Sequence, residues 1–315
     1  MDKKESIEKV KFSLIVPFYN EEKNVLVLHK EIIESLCNLS CEVIYVNDGS
    51  TDNTYKELIK AVEFSKPPFV VKVLDVHDNY GQSLALKTGL IYASYDVVIF
   101  MDGDLQNNPQ DIPTLLEKFL EGYDLVQGVR VHRKDPFLTK KMPSKLANVL
   151  LSLVCRSQFH DLGCSLKIFY KRNIDNFMFY RGFHRMLPIY YHLKGLKVAE
   201  VHVSHRKRIY GATKYGFLRT FDILFEVIKI NFFENKSNSF VYLGCAIGAM
   251  LFFVSLILLF FRHALNIVLI ISMLALIQGF YIVVLSTFLY IGRSFYLYQK
   301  QMDFLKEIVH VKVFE

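Results

Sequence analysis

Hydrophobic and polar positions form two alternating patterns along the first 235 residues. Short apolar runs predict five β-strands, at residues 12–17, 42–46, 70–76, 97–101 and 125–129. Segments with helical periodicity lie between or after them and predict α-helices at residues 23–36, 83–93 and 112–121. Strands that alternate with helices are typical of a doubly wound α/β fold, so we expect a mostly parallel sheet covered by helices.

Two long uncharged stretches follow this region. Residues 240–261 and 264–292 contain no Asp, Glu, Lys or Arg, and each exceeds the roughly 20 residues that a helix needs to cross a bilayer. The mean hydropathy of +0.23 is high for a purely soluble chain. Two very buried core helices would give the same pattern, but the break at Arg262-His263 favours a C-terminal hairpin of two transmembrane helices.

Basic residues predict the orientation of this hairpin. They are frequent from Arg206 to Lys236 and again from Arg293 to Lys312, whereas the turn between the spans offers Arg262 and a histidine. The positive-inside rule therefore predicts a multi-pass protein of the inner (plasma) membrane with both termini in the cytoplasm. Residues 1–10 are charged and have no apolar core, so we expect no signal peptide.

Charge and cysteine content indicate which binding partners and which cysteine chemistry to expect. The net charge of +7 is modest, and basic residues cluster near the predicted spans, which favours anionic lipid headgroups over nucleic acid. The five cysteines show no CxxC spacing, so we expect reduced thiols rather than disulfides or zinc ligands.

Acidic side chains follow the fourth predicted strand. Asp102-Gly103-Asp104 comes directly after the apolar run 97–101, and Gln106 lies two residues further on. Ligands of open α/β sheets bind beyond the carboxyl ends of the strands. Hard oxygen donors at this spacing suit Mg²⁺ or Mn²⁺ that also holds the phosphates of a substrate. The cap of a turn or of the next helix would use the same residues.

Two other predicted strands also end in polar residues. Residues 17–22 end the first strand and residues 46–52 end the second. Asn20 and Asp52 are alternatively helix N-caps, and Asp48-Gly49 is alternatively a tight turn. Three acidic loops at one edge of a sheet indicate a nucleotide site instead, because Glu21 and Asp48 can accept hydrogen bonds from an imide and from hydroxyl groups.

Six ordered motifs now resemble a known family, the family 2 glycosyltransferases of GT-A (Rossmann-like) fold. Within it, the chain is similar to the polyprenyl-phosphate glycosyltransferases, the group of dolichol-phosphate mannose synthase and of bacterial undecaprenyl-phosphate glucosyl and aminoarabinosyl transferases. The motifs are VPFYNEE at 16–22, NDGSTD at 47–52, NYGQ at 79–82, DGDLQ at 102–106, DLGC at 161–164 and GATKY at 211–215. The resemblance implies a cytoplasmic GT-A domain over residues 1–235, membrane spans at 240–261 and 264–292, and a cytoplasmic tail over 293–315.

The same resemblance implies roles for individual residues. It assigns the nucleotide sugar to Pro17, Tyr19, Glu21, Asp48 and Asp102. It assigns the metal and the donor phosphates to Asp102, Asp104 and Gln106. Candidates for binding the lipid phosphate or the diphosphate are Arg130, Lys141, Arg208 and Lys214. The candidate catalytic groups are Asp104, Asp161 and Arg208.

Some of these roles stay open. Asp161 would orient the acceptor, act as a base, or only cap the loop before a strand at 165–170. Lys141, Arg206 and Lys207 are alternatively solvated or headgroup-facing charges. Lys167 stands where the family commonly has arginine, which puts a bidentate contact there in doubt.

The implied reaction is inverting, metal-dependent transfer of a sugar from a nucleotide sugar, with a UDP-sugar favoured, to a polyprenyl phosphate such as undecaprenyl phosphate. A phosphate monoester with a second pKa of about 6 is largely dianionic at neutral pH, so the acceptor needs cationic positioning more than a general base. A processive polysaccharide synthase and a non-catalytic membrane adaptor are the rival functions. The first usually carries a Gln-x-x-Arg-Trp element, and this chain has no tryptophan; the second would have lost the acidic triplet.

Three further segments carry structural predictions. Residues 137–159 and 216–235 are predicted to lie as amphipathic helices on the bilayer surface, and a core helix is the alternative for the first. Gly244 and Gly248 form a G-x-x-x-G step that favours a homo-oligomer. Residues 308–314 alternate as a strand that would pair with the body of the protein or with a neighbour.

Overall fold

The computed structural model describes residues 7–65, 67–130, 159–174, 182–207 and 309–314. It also describes seven helical positions, Leu274, Ile277, Gln278, Tyr281, Val284, Leu285 and Phe288. The chain divides into two compact units, Met1–Glu226 with Met302–Glu315, and Val227–Gln301. Apart from those seven positions, the predicted membrane spans lie outside the described residues. Among the residues that are described, no helix has the length and apolar character needed to cross a bilayer.

The first unit is built around one sheet, which has eight strands in the described part of the chain. These strands are β1 (Phe12–Phe18), β2 (Cys41–Asp48), β3 (Val70–Val76), β4 (Val97–Phe100), β5 (Leu125–Arg130), β6 (Lys167–Tyr170), β7 (Val198–Val203) and β8 (Val309–Phe314). Their spatial order is β7-β5-β6-β4-β1-β2-β3-β8. All are parallel except β6 and β8, which run antiparallel to their neighbours. The predicted mostly parallel α/β sheet is therefore confirmed.

Five α-helices pack around this sheet in the described ranges. They are α1 (Glu22–Leu36), α2 (Thr54–Ser65), α3 (Gln82–Tyr92), α4 (Ile112–Phe119) and α5 (Phe183–Leu193). In α1 the buried residues Val25, Leu28, Ile32 and Leu36 recur at helical spacing, so one face of the helix packs on the core. The sequence patterns predicted α1, α3 and α4 to within a few residues, but α2, α5 and β7 were not predicted.

Strand order places five chain segments at one edge of the sheet. β1 lies between β2 and β4, so the loops that follow all three strands are neighbours. β6 is antiparallel, and its first residue Lys167 pairs with Phe100, the last residue of β4. Arg130 ends β5, on the other side of β6. The carboxyl ends of four parallel strands and the amino end of β6 therefore meet at this edge.

The C-terminal strand β8 is the outermost strand of the sheet, next to β3. It pairs antiparallel with β3, from Val71 beside Phe314 to Val76 beside Val309. Lys312 also contacts Glu63 of α2 at 2.8 Å. The predicted C-terminal strand is confirmed, and it pairs with the body of the protein.

Candidate active site

The loops after β1 and β2 brace each other. Asn20, in a left-handed conformation with φ of 53°, accepts a hydrogen bond on Oδ1 from the Thr51 amide at 2.8 Å. Its own amide donates to Ser50 Oγ at 3.0 Å. Asn20 thus joins two loops rather than capping α1, whereas Asp52, two residues before α2, accepts the amide of Thr54, the first residue of that helix, on Oδ1 at 2.9 Å.

The candidate nucleoside residues of the first loop lie where β1 ends. Pro17 and Tyr19 are half-buried. Glu21 is buried, and its carboxylate accepts a hydrogen bond from the Asn24 side-chain amide. The Glu21 amide donates to Thr54 Oγ1 at 2.9 Å. This loop is therefore tied both to its own helix and to the start of α2.

Asp48 at the end of β2 holds the loop that precedes α3. Its carboxylate accepts the amides of Tyr80 at 3.0 Å and Gly81 at 2.9 Å, and the Asn79 side-chain amide at 3.1 Å. Gly49 permits this close approach: its φ is +61°, and a Cβ there would lie 2.2 Å from the Asp78 carbonyl carbon. Asp48 is thus the last residue of β2 with a fixed carboxylate, and the chain bends at Gly49.

The Asp102-Gly103-Asp104 loop leaves β4 against the end of β1. A Cβ at Gly103 would lie 2.7 Å from the Phe18 ring, so only glycine fits without displacement. Asp104 is buried, and its Oδ1 accepts the Gln106 amide at 3.1 Å. Leu105 between them has φ of 63°, a conformation that is costly for a non-glycine residue and recurs at functional sites.

Asp102 is surrounded by groups from four segments. Gln82 of α3 donates its side-chain amide to Asp102 Oδ1. Burial, and after it the charge of Asp104, raise the pKa of Asp102 to about 6, while a hydrogen bond from Ser165 and the charges of Arg185 and Lys167 oppose this rise. Two carboxylates that repel each other are a suitable place for a divalent cation, which would favour their ionised forms.

The donor set fits a metal ion that substrate phosphates also ligate. Asp102 and Asp104 offer carboxylates and Gln106 an amide oxygen. In the ranges that the structure describes, no group of three or more His, Cys, Asp or Glu side chains is arranged to hold a metal ion. Mg²⁺ is commonly bound by one or two carboxylates together with phosphates and water, so this sparse set matches the predicted chemistry.

A cationic cluster lies beside these carboxylates, at the ends of β5 and β6. Arg130 Nε and Nη2 donate to the two carboxylate oxygens of Asp161 at 2.6 and 2.7 Å. Lys167 is 1% exposed and donates to the Cys164 carbonyl oxygen. Burial lowers the pKa of Lys167 to about 8, although the charges of Asp161 and Asp102 oppose the shift. Asp161 is thus a fixed partner of Arg130.

The segment after β7 lies beside Gln106. Gln106 Nε2 is 3.5 Å from His205 Nε2 and 3.5 Å from the Arg206 carbonyl oxygen. Arg206 forms a bidentate ion pair with Glu31 of α1, with both distances at 2.7 Å. The interpretation of Arg206 as a solvated or headgroup-facing charge is therefore wrong: it holds this segment against α1.

The sequence-predicted residues are distributed as follows. This edge of the sheet holds nine of them, at the last residues of strands (Pro17, Asp48 and Arg130) or on the adjoining loops (Tyr19, Glu21, Asp102, Asp104, Gln106 and Asp161). Lys141, Arg208 and Lys214 lie outside the described residues. Sequence reasoning missed the hydrogen bonds of Gln82 and Ser165 to Asp102 and the effect of the Arg185 charge on it. The NYGQ motif pointed to Gln82, whereas no pattern indicated the other two.

Comparison with known proteins agrees with this geometry. Residues 13–179 match the family described as Glycosyl transferase family 2. The chain is 31% identical over 269 residues to a dodecaprenyl-phosphate galacturonate synthase of Rhizobium johnstonii, which covers 82% of this chain and 79% of that protein. It is 33% identical over 226 residues to an undecaprenyl-phosphate 4-deoxy-4-formamido-L-arabinose transferase of Proteus mirabilis, covering 71% of this chain and 68% of that protein.

A solved structure shares the fold. Glucosyl-3-phosphoglycerate synthase from Mycobacterium tuberculosis, in complex with Mn²⁺ and UDP-glucose, superposes with a TM-score of 0.54 at 19% identity, over 72% of this chain and 80% of that chain. At this identity the likeness shows the fold alone. The family match covers more than half of the 315 residues and the relatives belong to the expected group, so the resemblance predicted from the motifs is confirmed. The chain belongs to glycosyl transferase family 2 and is a glycosyltransferase.

Proposed function

We propose that this glycosyltransferase moves a sugar from a nucleotide sugar, preferably a UDP-sugar, to a membrane polyprenyl phosphate such as undecaprenyl phosphate, with inversion at the anomeric carbon. One observation carries the proposal: the acidic loop after β4 and the Arg130–Asp161 pair after β5 lie at the same edge of the sheet, on either side of β6. An anionic donor and an anionic acceptor would meet there. The two relatives, both named as polyprenyl-phosphate sugar transferases, support the choice of acceptor.

On the donor side, Glu21 and Asp48 are proposed to accept hydrogen bonds from the nucleoside, between Pro17 and Tyr19. Both carboxylates are buried and held by hydrogen bonds, so the nucleoside would meet groups that are already positioned. Asp102, Asp104 and Gln106 are the proposed ligands of Mg²⁺ or Mn²⁺. The bound ion would neutralise charge on the departing nucleotide diphosphate.

On the acceptor side, Arg130 is proposed to bind the lipid phosphate while Asp161 orients its guanidinium. Because the phosphate is itself largely dianionic, its oxygen attacks the sugar carbon without a protein base. Arg208, Lys141 and Lys214 are proposed to add positive charge, with Arg208 acting on the reacting phosphates. The hairpin at 240–292, with both termini cytoplasmic, is proposed to keep the domain at the inner membrane, where this acceptor resides.

Product formation tests the proposal directly. Full-length protein in detergent is incubated with Mn²⁺ or Mg²⁺, undecaprenyl phosphate and a panel of nucleotide sugars, and the lipid product is identified by its mass. We expect one donor to give a polyprenyl-phosphate sugar, with activity lost on metal chelation. Asp104→Asn should lower the rate by about 100-fold or more, because an interaction worth several kcal/mol in the transition state is removed.

The matched control is Asp96→Asn, since Asp96 lies just before β4, at the opposite edge of the sheet, in an exposed pair with Arg172. It should leave the rate unchanged. Wild-type protein that makes no product with any donor would refute the function, and so would an Asp104→Asn variant that behaves like wild type.

A further inference from the structure

The first turn of α3 connects three parts of the site. The amides of Tyr80 and Gly81, just before the helix, donate to Asp48 of β2. Gln82, the first residue of the helix, donates to Asp102 after β4. Ser83, the next residue, faces α5 instead. One helical turn therefore joins the candidate nucleoside carboxylate, the candidate metal carboxylate and a helix that begins 101 residues later in the chain.

Ser83 and His184 form a buried polar contact between α3 and α5. Ser83 Oγ lies 2.8 Å from His184 Nδ1 and accepts the Gly182 amide at 2.9 Å. Ser83 is 3% exposed and His184 is 5% exposed. Because buried polar groups are costly to leave without partners, this contact strongly favours one position for the start of α5.

Arg185 is the residue that this contact positions. It follows His184 on the first turn of α5, is half-buried, and its positive charge acts on the Asp102 carboxylate. Lys167 also acts on Asp102, but its ammonium is inside the protein and donates to a backbone carbonyl. Of these two cations, only Arg185 keeps an exposed portion, since Lys167 is 1% exposed.

We propose that Arg185 binds the diphosphate of the nucleotide sugar, and that Ser83 and His184 are positioning residues that hold it beside Asp102. The proposal rests on the proposed function, because it requires a nucleotide donor at the acidic loop. An arginine offers two parallel N–H groups to a phosphate, a geometry that lysine does not reproduce. Gln82 and Arg185 would then approach the donor from two helices that the Ser83–His184 contact keeps in register.

Comparing the binding of UDP with that of uridine distinguishes loss of a diphosphate contact at Arg185 from a general loss of structure. Binding of UDP and of uridine to the full-length protein is measured by calorimetry in the presence of Mn²⁺. Arg185→Gln should weaken UDP binding by about 10- to 100-fold, the range for a hydrogen bond to a charged group, and leave uridine binding unchanged. Arg185→Lys should recover only part of the loss. The matched control Arg172→Gln removes an exposed arginine at the opposite edge of the sheet and should change neither affinity.

UDP binding by single and double variants tests the two positioning residues, Ser83 and His184. Ser83→Ala and His184→Leu should each weaken UDP binding, and combining either with Arg185→Gln should add little, because all three act through one contact with the diphosphate. His184→Asn, whose amide can take the place of Nδ1, should restore most of the affinity. UDP binding that is unchanged in Arg185→Gln, or losses that add fully in the double variants, would overturn the proposal. Absence of nucleotide binding by the wild type would instead refute the proposed function.

Discussion

Replacing Asp161 by asparagine distinguishes a positioning carboxylate from a catalytic base. The substitution removes both charge-assisted bonds to Arg130, at 2.6 and 2.7 Å, and turns an N–H group toward the guanidinium. Breaking a buried ion pair by removing one partner costs about 3–5 kcal/mol. We expect the lower end, about 3 kcal/mol, because the Arg130 side chain is 14% exposed and can move toward solvent.

This folding cost does not itself slow the folded enzyme, but a misplaced Arg130 should weaken acceptor use. Loss of its charge-assisted contact with the phosphate, about 1.5–3 kcal/mol, corresponds to about a 10- to 100-fold fall in kcat/KM for polyprenyl phosphate, with the KM for the nucleotide sugar little changed. Steady-state rates from pH 5 to pH 9 provide the decisive measurement. If Asp161 only positions Arg130, both proteins should lose activity below about pH 6, where the acceptor phosphate becomes protonated.

A catalytic base would behave differently. Asp161→Asn would then lower kcat at every pH, and its remaining rate would keep rising up to pH 9 instead of levelling off above about pH 6, because hydroxide would replace the missing base; that result would refute the positioning role. Asp161→Glu should recover part of the activity, since it keeps a carboxylate for Arg130. Asp96→Asn, which breaks an exposed arginine–aspartate pair, controls for the loss of an ion pair and should cost less than about 1 kcal/mol.

Three further predictions concern stability, measured as the thermal midpoint of the full-length protein. Burial lowers the pKa of His29 from 6.5 to about 4, so about 3 kcal/mol of the free energy of unfolding, fully present above pH 6.5, should be lost as the pH falls toward 4. His29→Gln should flatten this pH dependence of stability, and an unchanged dependence would contradict the assignment to His29. Gly49→Ala should destabilise the protein by more than the about 1–2 kcal/mol expected for a left-handed residue, because its Cβ would also overlap the Asp78 backbone. Gly122→Ala, with φ of +95° and open space around it, is the control, and equal effects would show that the overlap is relieved. Truncation before Val309 should lower the midpoint and promote aggregation, because it leaves the backbone hydrogen-bonding groups of β3 without the β8 partner. The control Lys312→Ala, which removes only an exposed ion pair, should have little effect. A truncated protein as stable as wild type would show that β8 is dispensable.

The central strands and the acidic loops were predictable because their signals are local. Residues 97–101 are a continuous apolar run that Asp102 follows directly, and the apolar run 43–46 ends two residues before Asp48, so position along the chain already placed these carboxylates at one edge of a parallel sheet. Helices α2 and α5 were not predicted. α5 contains Pro188, which argues against a helix interior in a sequence, and its buried residues include a histidine and two tyrosines.

The contacts that shape the site were not predictable in the same way. Gln82 and Asp102 are 20 residues apart, Arg130 and Asp161 are 31 apart, and Ser83 and His184 are 101 apart. No periodicity links such positions, because each pairing depends on which strands are neighbours. The sequence accordingly suggested three possible roles for Asp161. Only the structure shows that both of its carboxylate oxygens accept hydrogen bonds from Arg130.

The antiparallel strand β6 explains how two anionic substrates could share one edge of this sheet. Had β6 run parallel, its first residue Lys167 and the preceding Asp161–Ser165 segment would lie at the opposite edge, away from Asp102 and Arg130. Because it is reversed, this segment enters between β4 and β5, with Ser165 hydrogen-bonded to Asp102 on one side and Asp161 bound to Arg130 on the other. The buried charge of Lys167 acts on both carboxylates. Asp102 and Arg130 are therefore held at a fixed separation by a single short segment, so a change in Ser165 or Lys167 should affect donor and acceptor binding together.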